Sequence, residues 1–260
     1  MLESGRVISF ISIVLMFATV YYMLRKAEKE KVPHIRRIPA LDAIDEAVGR
    51  ATELGKPVLC HMGQTSRGVR GEWAGAILAG MSIMSHVASL CARLGARLIV
   101  APAYPELLPL VIETVRDSYI AEGNLEGFKE DDIRFFSNQQ WPWATGIMGT
   151  MEREKPAAHI GVGPFHGESL IIAEAGARVK AMSILGTPRK SQITFLIACA
   201  DYTLIGEEVY AAGAYLSKDP GQIGTIAGQD WVKMAAIVLM ILCTLTATLG
   251  SDILLNILKM

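Results

Sequence analysis

The sequence lacks an excess of charge of either sign. Its 260 residues carry a formal net charge of −1, and the isoelectric point is near 6.5. A general nucleic-acid-binding protein normally presents a basic face. We therefore expect no nucleic-acid partner.

Cysteine is also scarce, and it is not arranged for a metal or for disulfides. The four cysteines (Cys60, Cys91, Cys199 and Cys243) form no CxxC pair. The five histidines are not spaced with carboxylates or cysteines as metal ligands usually are. The sequence therefore indicates no metal site and identifies no cofactor, and isolated thiols fit a reducing cytoplasmic compartment.

The common nucleotide and hydrolase motifs are missing too. The most glycine-rich turn, AAHIGVGPFHGES from Ala157 to Ser169, has the spacing G-x-G-x-x-x-G. Dinucleotide sites use G-x-G-x-x-G, and P-loops end in Gly-Lys-Ser/Thr. Glu168 would repel a bound phosphate while favouring a helix N-terminus. The turn is either a structural connection between a strand and a helix, which we favour, or a cradle for an anion.

A serine hydrolase set is conceivable from residue types alone. Ser66 could be the nucleophile, His61 or His166 the base, and Asp201 the group that orients the base. Nothing in their spacing requires this, and the G-x-S-x-G elbow is absent. The catalytic residues, if there are any, stay unknown.

Charge is missing from two long stretches at the ends of the chain. Val7 to Leu24 has no charged residue, and Val232 to Leu249 has only Lys233. Each can cross about 30 Å of hydrocarbon as a helix. The first could instead be a signal peptide, but its nearly neutral start and the Tyr21-Tyr22 pair before Arg25 favour a retained span.

Basic residues follow the first span closely, which sets the orientation. Few precede it, whereas six lie just after it: Arg25, Lys26, Lys29, Lys31, Arg36 and Arg37. The positive-inside rule then places residues 25–230 in the cytoplasm and both termini outside. We expect a cell-membrane protein with two spans.

Between the spans, strand-like and helix-like apolar runs alternate. The strand-like runs lie at 57–61, 97–103, 132–137, 157–163, 181–187 and 193–200. This alternation predicts an α/β domain with a mostly parallel, Rossmann-like, doubly wound sheet. The expected domains are an N-terminal transmembrane helix (1–25), a charged connector (26–39), a cytoplasmic α/β domain (40–222), and a C-terminal transmembrane helix with its tail (223–260).

A third apolar segment, 73–92, has no acidic or basic residue except His86. As a third span it would put the first two strands on opposite sides of the membrane, which would destroy the sheet. Its many Gly, Ala and Ser residues suit close helix contact, and it has almost none of the polar face of an outer helix. We expect a packed or inter-subunit helix, and a homo-oligomer formed through it and the transmembrane helices.

Polar residues collect after the strands, where open α/β sheets bind ligands. If the chain binds a ligand, as in the sensor alternative, we expect it in the crevice between the loops HMGQTSRG (61–68) and GPFHGES (163–169), with Arg67 as the counter-charge. The candidate ligand-binding residues are His61, Gly63, Gln64, Thr65, Ser66, Arg67, Ser137, Asn138, Gly163, His166, Gly167 and Ser169.

Two longer runs carry a family resemblance. DYTLIGEEVYAAGAYLSKDPGQIGTIAGQDWVKM (201–234) and ESLIIAEAGA (168–177) resemble an uncharacterised family of two-span membrane proteins, a domain of unknown function. Its members occur in methanogenic archaea and Chloroflexi-like bacteria, and the resemblance covers most of residues 35–250. It implies a membrane location and a shared cytoplasmic domain, and it implies no activity.

These observations favour a membrane-anchored, self-associating scaffold or organising protein, more readily than an enzyme. One alternative is a sensor that binds a nucleotide or another anionic small molecule. A second is an enzyme with an unfamiliar site. The expected partners are the lipid bilayer, further copies of the chain and, in the sensor alternative, the anionic ligand.

Overall fold

The chain is described by a computed structural model that covers residues 7–29, 38–65 and 67–249. It divides into two compact units. One comprises residues 36–217, and the other comprises the chain on both sides of it, residues 1–35 and 218–260.

The larger unit is built on one sheet of five parallel strands. These are β1 (Val58–His61), β2 (Leu98–Val100), β3 (Ala158–Val162), β4 (Met182–Thr187) and β5 (Tyr202–Ile205). Their order across the sheet is β2-β1-β3-β4-β5. Every residue of β1 to β4 is buried, as expected of a parallel sheet with covered faces. The predicted α/β class and the parallel sheet are confirmed.

The helices are α1 (Val7–Lys29), α2 (Pro39–Glu53), α3 (Ala74–Leu94), α4 (Leu108–Ala121), α5 (Gln140–Glu154), α6 (Glu168–Arg178), α7 (Lys190–Cys199), α8 (Glu208–Ser217) and α9 (Pro220–Thr248). In the larger unit they lie on both faces of the sheet. Gly80 of α3 lies against the side chain of Met62, whereas Gly176 of α6 lies against that of His159. Side chains alternate between faces along a strand, so α3 and α6 cover opposite faces.

Two of the strands predicted from the sequence are wrong. The run 132–137 makes a single bridge, from Ile133 to Val100, after a 3-10 turn at Glu130–Asp132. The run 193–200 lies almost entirely in α7, and the edge strand is β5, which is not among the expected strands. Short apolar runs rich in β-branched residues do not separate strand from helix by periodicity.

Helix α3 is a core element of the larger unit. It contacts β1, β3, α2, α4 and α8, and 12 of its 21 residues are buried. Its small residues serve these contacts, since Gly80 meets the carbonyl of Val162 and Ala79 meets Gly213 of α8. Because they pack within the chain, they no longer argue for a contact with a second copy.

In the smaller unit, α1 and α9 form an antiparallel pair. Gly228 lies against the backbone of Val20, and Gly224 against Leu24 and Ala27. This is the small-xxx-small arrangement that lets two helix backbones approach closely.

Among the described residues, three helices are long and apolar enough to cross a membrane: Val7–Lys29, Ala74–Leu94 and Pro220–Thr248. The most apolar windows of α1 and α9 are 0% buried, whereas 56% of that of α3 is buried. Length and composition thus support membrane association. Three helices are long and apolar enough to span a membrane, whereas we expected two spans.

Candidate functional site

The strand order reverses direction between β1 and β3. The chain passes from β1 to β2 on one side and then returns to place β3 on the other side of β1. In sheets of the order 2-1-3-4-5, ligands bind at this reversal, outside the carboxyl ends of β1 and β3. The two loops of the expected crevice follow these two strands, so the structure brings them together.

The two loops touch each other directly. The backbone N–H of Gln64 donates to the carbonyl of Pro164 at 2.8 Å. Gly63 has φ +69°, and a Cβ there would overlap the Pro164 carbonyl. A Cβ on Gly163 would overlap the carbonyl of Met62. The glycines let backbone pack on backbone, and this closes the expected crevice at its base.

Gly161 also serves internal packing. It is paired with His61 across the β1–β3 ladder, and the imidazole of His61 occupies the space that a side chain at 161 would need. The ring is buried and meets Trp143 and Phe165 edge-on. Of the three glycines in the G-x-G-x-x-x-G turn (Gly161, Gly163 and Gly167), the first two are therefore required by contacts within the chain.

His61 is hydrogen-bonded to a second buried histidine. Its Nε2 lies 2.8 Å from Nε2 of His159, and Nδ1 of His159 lies 3.5 Å from Oγ of Ser183. The Ser183 hydroxyl donates to the carbonyl of Ala181 at 3.3 Å. We therefore assign the proton of His159 to Nδ1, so that its Nε2 accepts from His61.

This assignment leaves Nδ1 of His61 as a bare acceptor, and it has no hydrogen-bond partner in the described chain. Both rings are neutral. Burial lowers the pKa of His61 well below its ordinary value, with a smaller contribution from His159. Burial likewise lowers the pKa of His159.

A buried carboxylate occupies the N-terminus of α6. Glu168 is 0% exposed. Its Oε1 accepts from the backbone N–H of His166 at 3.0 Å, and its Oε2 accepts from Nε2 of Gln140 at 2.6 Å. The carboxylate thus joins the loop before α6 to the first turn of α5.

Other hydrogen bonds link the loops around this carboxylate. Nε2 of Gln64 donates to the carbonyl of Asn138 at 2.9 Å, and Nδ1 of His166 lies 3.2 Å from the carbonyl of Gln64. The N–H of Thr65 donates to the Tyr104 hydroxyl at 2.7 Å, and burial raises the pKa of that tyrosine. The site is a hydrogen-bonded network between loops.

The twelve candidate residues differ in their exposure to solvent. His61, Gly63, Gln64, Thr65, Gly163 and Ser169 are buried, Ser137 and His166 are half-buried, and Arg67, Asn138 and Gly167 are exposed; Ser66 lies outside the described residues. Ser169 donates to Gln192 of α7 at 2.8 Å. Gln140 and Tyr104 were not among the candidates. Gln140 lies two residues after Asn138, which was one, whereas Tyr104 follows the strand-like run 97–103, which supplied none.

The hydrolase set is not assembled. His61 and His166 lie at the carboxyl edge of the sheet, but Asp201 precedes β5 and therefore lies at the opposite edge. There its Oδ2 accepts from the backbone N–H of Ser183 at 2.7 Å. A strand at 193–200 would have put Asp201 at the carboxyl edge, but this segment is helix α7. Burial also raises the pKa of Cys60 to about 12, so this thiol is a poor nucleophile.

Two polar features lie apart from the loop network. Nη1 of Arg189, after β4, is buried without a hydrogen-bond partner among the residues described, and the guanidinium lies 6.0 Å from the centre of the Trp73 ring. On α3, a polar stripe faces a groove of about 400 Å³ between α4 and α8. The stripe consists of Ser82, Ser85, His86 and Ser89, so α3 has the polar face that we expected it to lack.

Comparison with known proteins gives one match. The model of a family described as a domain of unknown function (DUF6754) matches residues 1–258. No curated protein and no solved structure is significantly similar to the chain.

Proposed function

We propose that this chain, which belongs to the DUF6754 family of unknown function, is a membrane-anchored scaffold that self-associates and carries its α/β domain in the cytoplasm. The proposal has three parts, which are the anchor, its orientation and the role of the domain. Each has its own support.

The anchor is the pair of α1 and α9. Large apolar side chains point outward along both helices, with Phe17 74% exposed and Met240 61% exposed. Such surfaces are stable in hydrocarbon and costly in water. Two spans fit the chain better than three, because α3 makes its contacts with β1 and β3 and cannot leave them without dissolving the sheet.

The orientation rests on charge. Lys26 and Lys29 lie in the last turn of α1, and further basic residues follow in the sequence. Short segments rich in Lys and Arg remain on the cytoplasmic side. The α/β domain that follows is cytoplasmic in this proposal.

One observation carries the scaffold role: the two loops at the β1–β3 reversal bond to each other, while the outer face of α7 stays exposed. Backbone contacts close the base of the reversal, and the Glu168 carboxylate beside it is held by His166 and Gln140. Helix α7 buries only Leu196 of its ten residues. This favours association with protein over the sensor and enzyme alternatives.

The mass of the purified protein tests self-association. The full chain, extracted in mild detergent and reconstituted in lipid nanodiscs, is measured by light scattering. We expect a stable particle with more than one copy of the 28.2 kDa chain. A monomer in both environments would overturn the scaffold proposal.

A further inference from the structure

Helix α7 presents an outer face that is unusual for a helix facing water. Six of its residues are exposed: Lys190, Ser191, Thr194, Phe195, Ile197 and Ala198. At 100° per residue these six fall within an arc of about 160°. Only Lys190 at one end is charged, whereas a solvent-facing helix surface normally carries several charged residues.

The arrangement within this face is that of a helix-packing surface. Ser191, Thr194 and Ala198 lie along the middle of the arc, where small side chains allow a second backbone to approach closely. Phe195 and Ile197, which are 41% and 52% exposed, lie on the two sides of this line. A partner helix on the line would cover both apolar side chains.

The charges at the two ends of α7 indicate what this partner is. Its first turn has no acidic residue, and basic Arg189 and Lys190 stand at its N-terminus, where they oppose the helix dipole. Asp201, exposed, follows its C-terminus. Lys190 and Asp201 are equally distant along the chain from the midpoint between Phe195 and Leu196. An antiparallel copy of α7 therefore brings the end of the helix that is followed by Asp201, whose Oδ2 accepts from the N–H of Ser183, to the end that carries Lys190, and it does so twice.

We propose that α7 packs against α7 of a second copy of this chain about a two-fold axis beside Phe195. The contact is isologous, so the same face serves both partners. Oppositely directed helices bring each N-terminus to the partner's C-terminus, which relieves the unfavourable charge at Lys190. This inference rests on the proposed self-association and assigns it a surface.

The neighbouring edge strand is not the contact. Continuing the sheet through β5 would require its outer N–H groups, but the N–H of Ile205 donates to Oε2 of Glu208 at 3.0 Å. A side chain that caps an edge in this way opposes pairing with another strand. Association at this end of the sheet is therefore through the helix.

Cysteine cross-linking of the full chain in membranes tests the contact. In a background in which Cys199 and Cys243 are replaced by Ser, Thr194→Cys is treated with a short bismaleimide. We expect covalent dimers from Thr194→Cys and few from Leu54→Cys, a position that is also exposed (Leu54 53%) but lies after α2. Equal yields from the two positions would mean random collision and would overturn the inference.

Charge reversal gives a second readout in the same background. We expect Lys190→Asp to lower the dimer yield of Thr194→Cys about five-fold, because two acidic groups then face each other. Adding Asp201→Lys reverses the pairing and restores the yield. If the variant with both Lys190→Asp and Asp201→Lys keeps its thermal midpoint but still gives a low yield of cross-linked dimer, the antiparallel arrangement is contradicted.

The outcomes separate this inference from the function on which it rests. A particle larger than a monomer with no cross-link at Thr194→Cys means that self-association stands and α7 is the wrong surface. A monomeric particle means that both fail. A cysteine at 194 that resists a water-soluble maleimide in membranes and yet forms no dimer means that the bilayer covers α7, which also overturns the contact.

Discussion

At the scale of residues, the loop network depends on glycines at which backbone atoms of the other loop occupy the space that a side chain would need. Gly163 lies against the carbonyl of Met62, and Gly63 lies against that of Pro164. Gly167 differs, because a Cβ there would make an ordinary contact with Trp141 at 3.7 Å. The same motif thus contains a required glycine and a tolerant one.

We therefore expect Gly163→Ala to lower the stability of the full chain by about 1–3 kcal/mol, the usual cost of overpacking. Gly167→Ala, its matched control, should leave stability nearly unchanged. Thermal midpoints in detergent measure both effects. Equal midpoints for the two variants would show that the loops do not pack as described.

The buried histidine pair predicts an acid-sensitive fold. In the unfolded chain both imidazoles bind protons near pH 6.5, whereas in the folded chain burial lowers both pKa values, that of His159 to about 3. Below pH 6.5 the unfolded state binds more protons than the folded state. The free energy of unfolding therefore decreases as the pH is lowered, by up to about 1.4 kcal/mol per pH unit for each histidine.

The comparison with His159→Gln isolates this contribution. Between pH 7 and pH 4.5 we expect the thermal midpoint of the parent chain to fall more steeply than that of the variant. Parallel curves would mean that His159 is already protonated, or is open to water, in the folded protein.

The sequence predicts His61 as a candidate residue, but it does not predict His159 or the pairing of the two rings. His61 and His159 are 98 positions apart, and only the β1–β3 register brings their rings together. The loops after these strands could be placed at one sheet edge, because that follows from parallel strands in general. The direct contact between the two loops could not be predicted, because it depends on where each backbone turns.

At the scale of elements, α7 and β5 show why the sheet edge was misread. ITFLIACA is apolar on every side and rich in β-branched residues, which is typical of a buried strand. It is a helix, and its outer face stays exposed in the single chain. The longer segment 73–92 was predicted correctly as a helix, and α3 ends at Leu94, before Gly95 in the left-handed conformation.

The α1–α9 pair makes its own prediction. A Cβ on Gly228 would lie 2.8 Å from Cα of Val20, so Gly228→Val should force the two helices apart. Spin labels at Phe17 and Trp231, which are exposed and level with each other, report the separation with Cys199 and Cys243 replaced by Ser. We expect a longer, broader distance distribution for Gly228→Val.

Ala235→Val is the control for this experiment, because Ala235 is exposed on α9. The distribution should match that of the parent chain. If Gly228→Val also matches the parent, then the helices do not meet at their glycines.

At the scale of the whole molecule, composition and periodicity were enough to predict apolar ends around an α/β domain. They could not decide the place of α3, which by length and hydropathy is as able to cross a membrane as to fill a core. In the structure α3 packs on β1 and β3 and is flanked by α2, α4 and α8, and these contacts support the proposal of two spans.

The central claim is that this domain lies on one side of a membrane, with α3 in its core and α1 and α9 as its anchor. Two single-cysteine variants test this topology: Leu54→Cys, which precedes α3 in the chain, and Glu122→Cys, which follows it. Each is labelled by a membrane-impermeant maleimide in oriented vesicles. We expect both cysteines to react from the cytoplasmic face alone. Reaction of the two from opposite faces would make α3 a span and would contradict this topology.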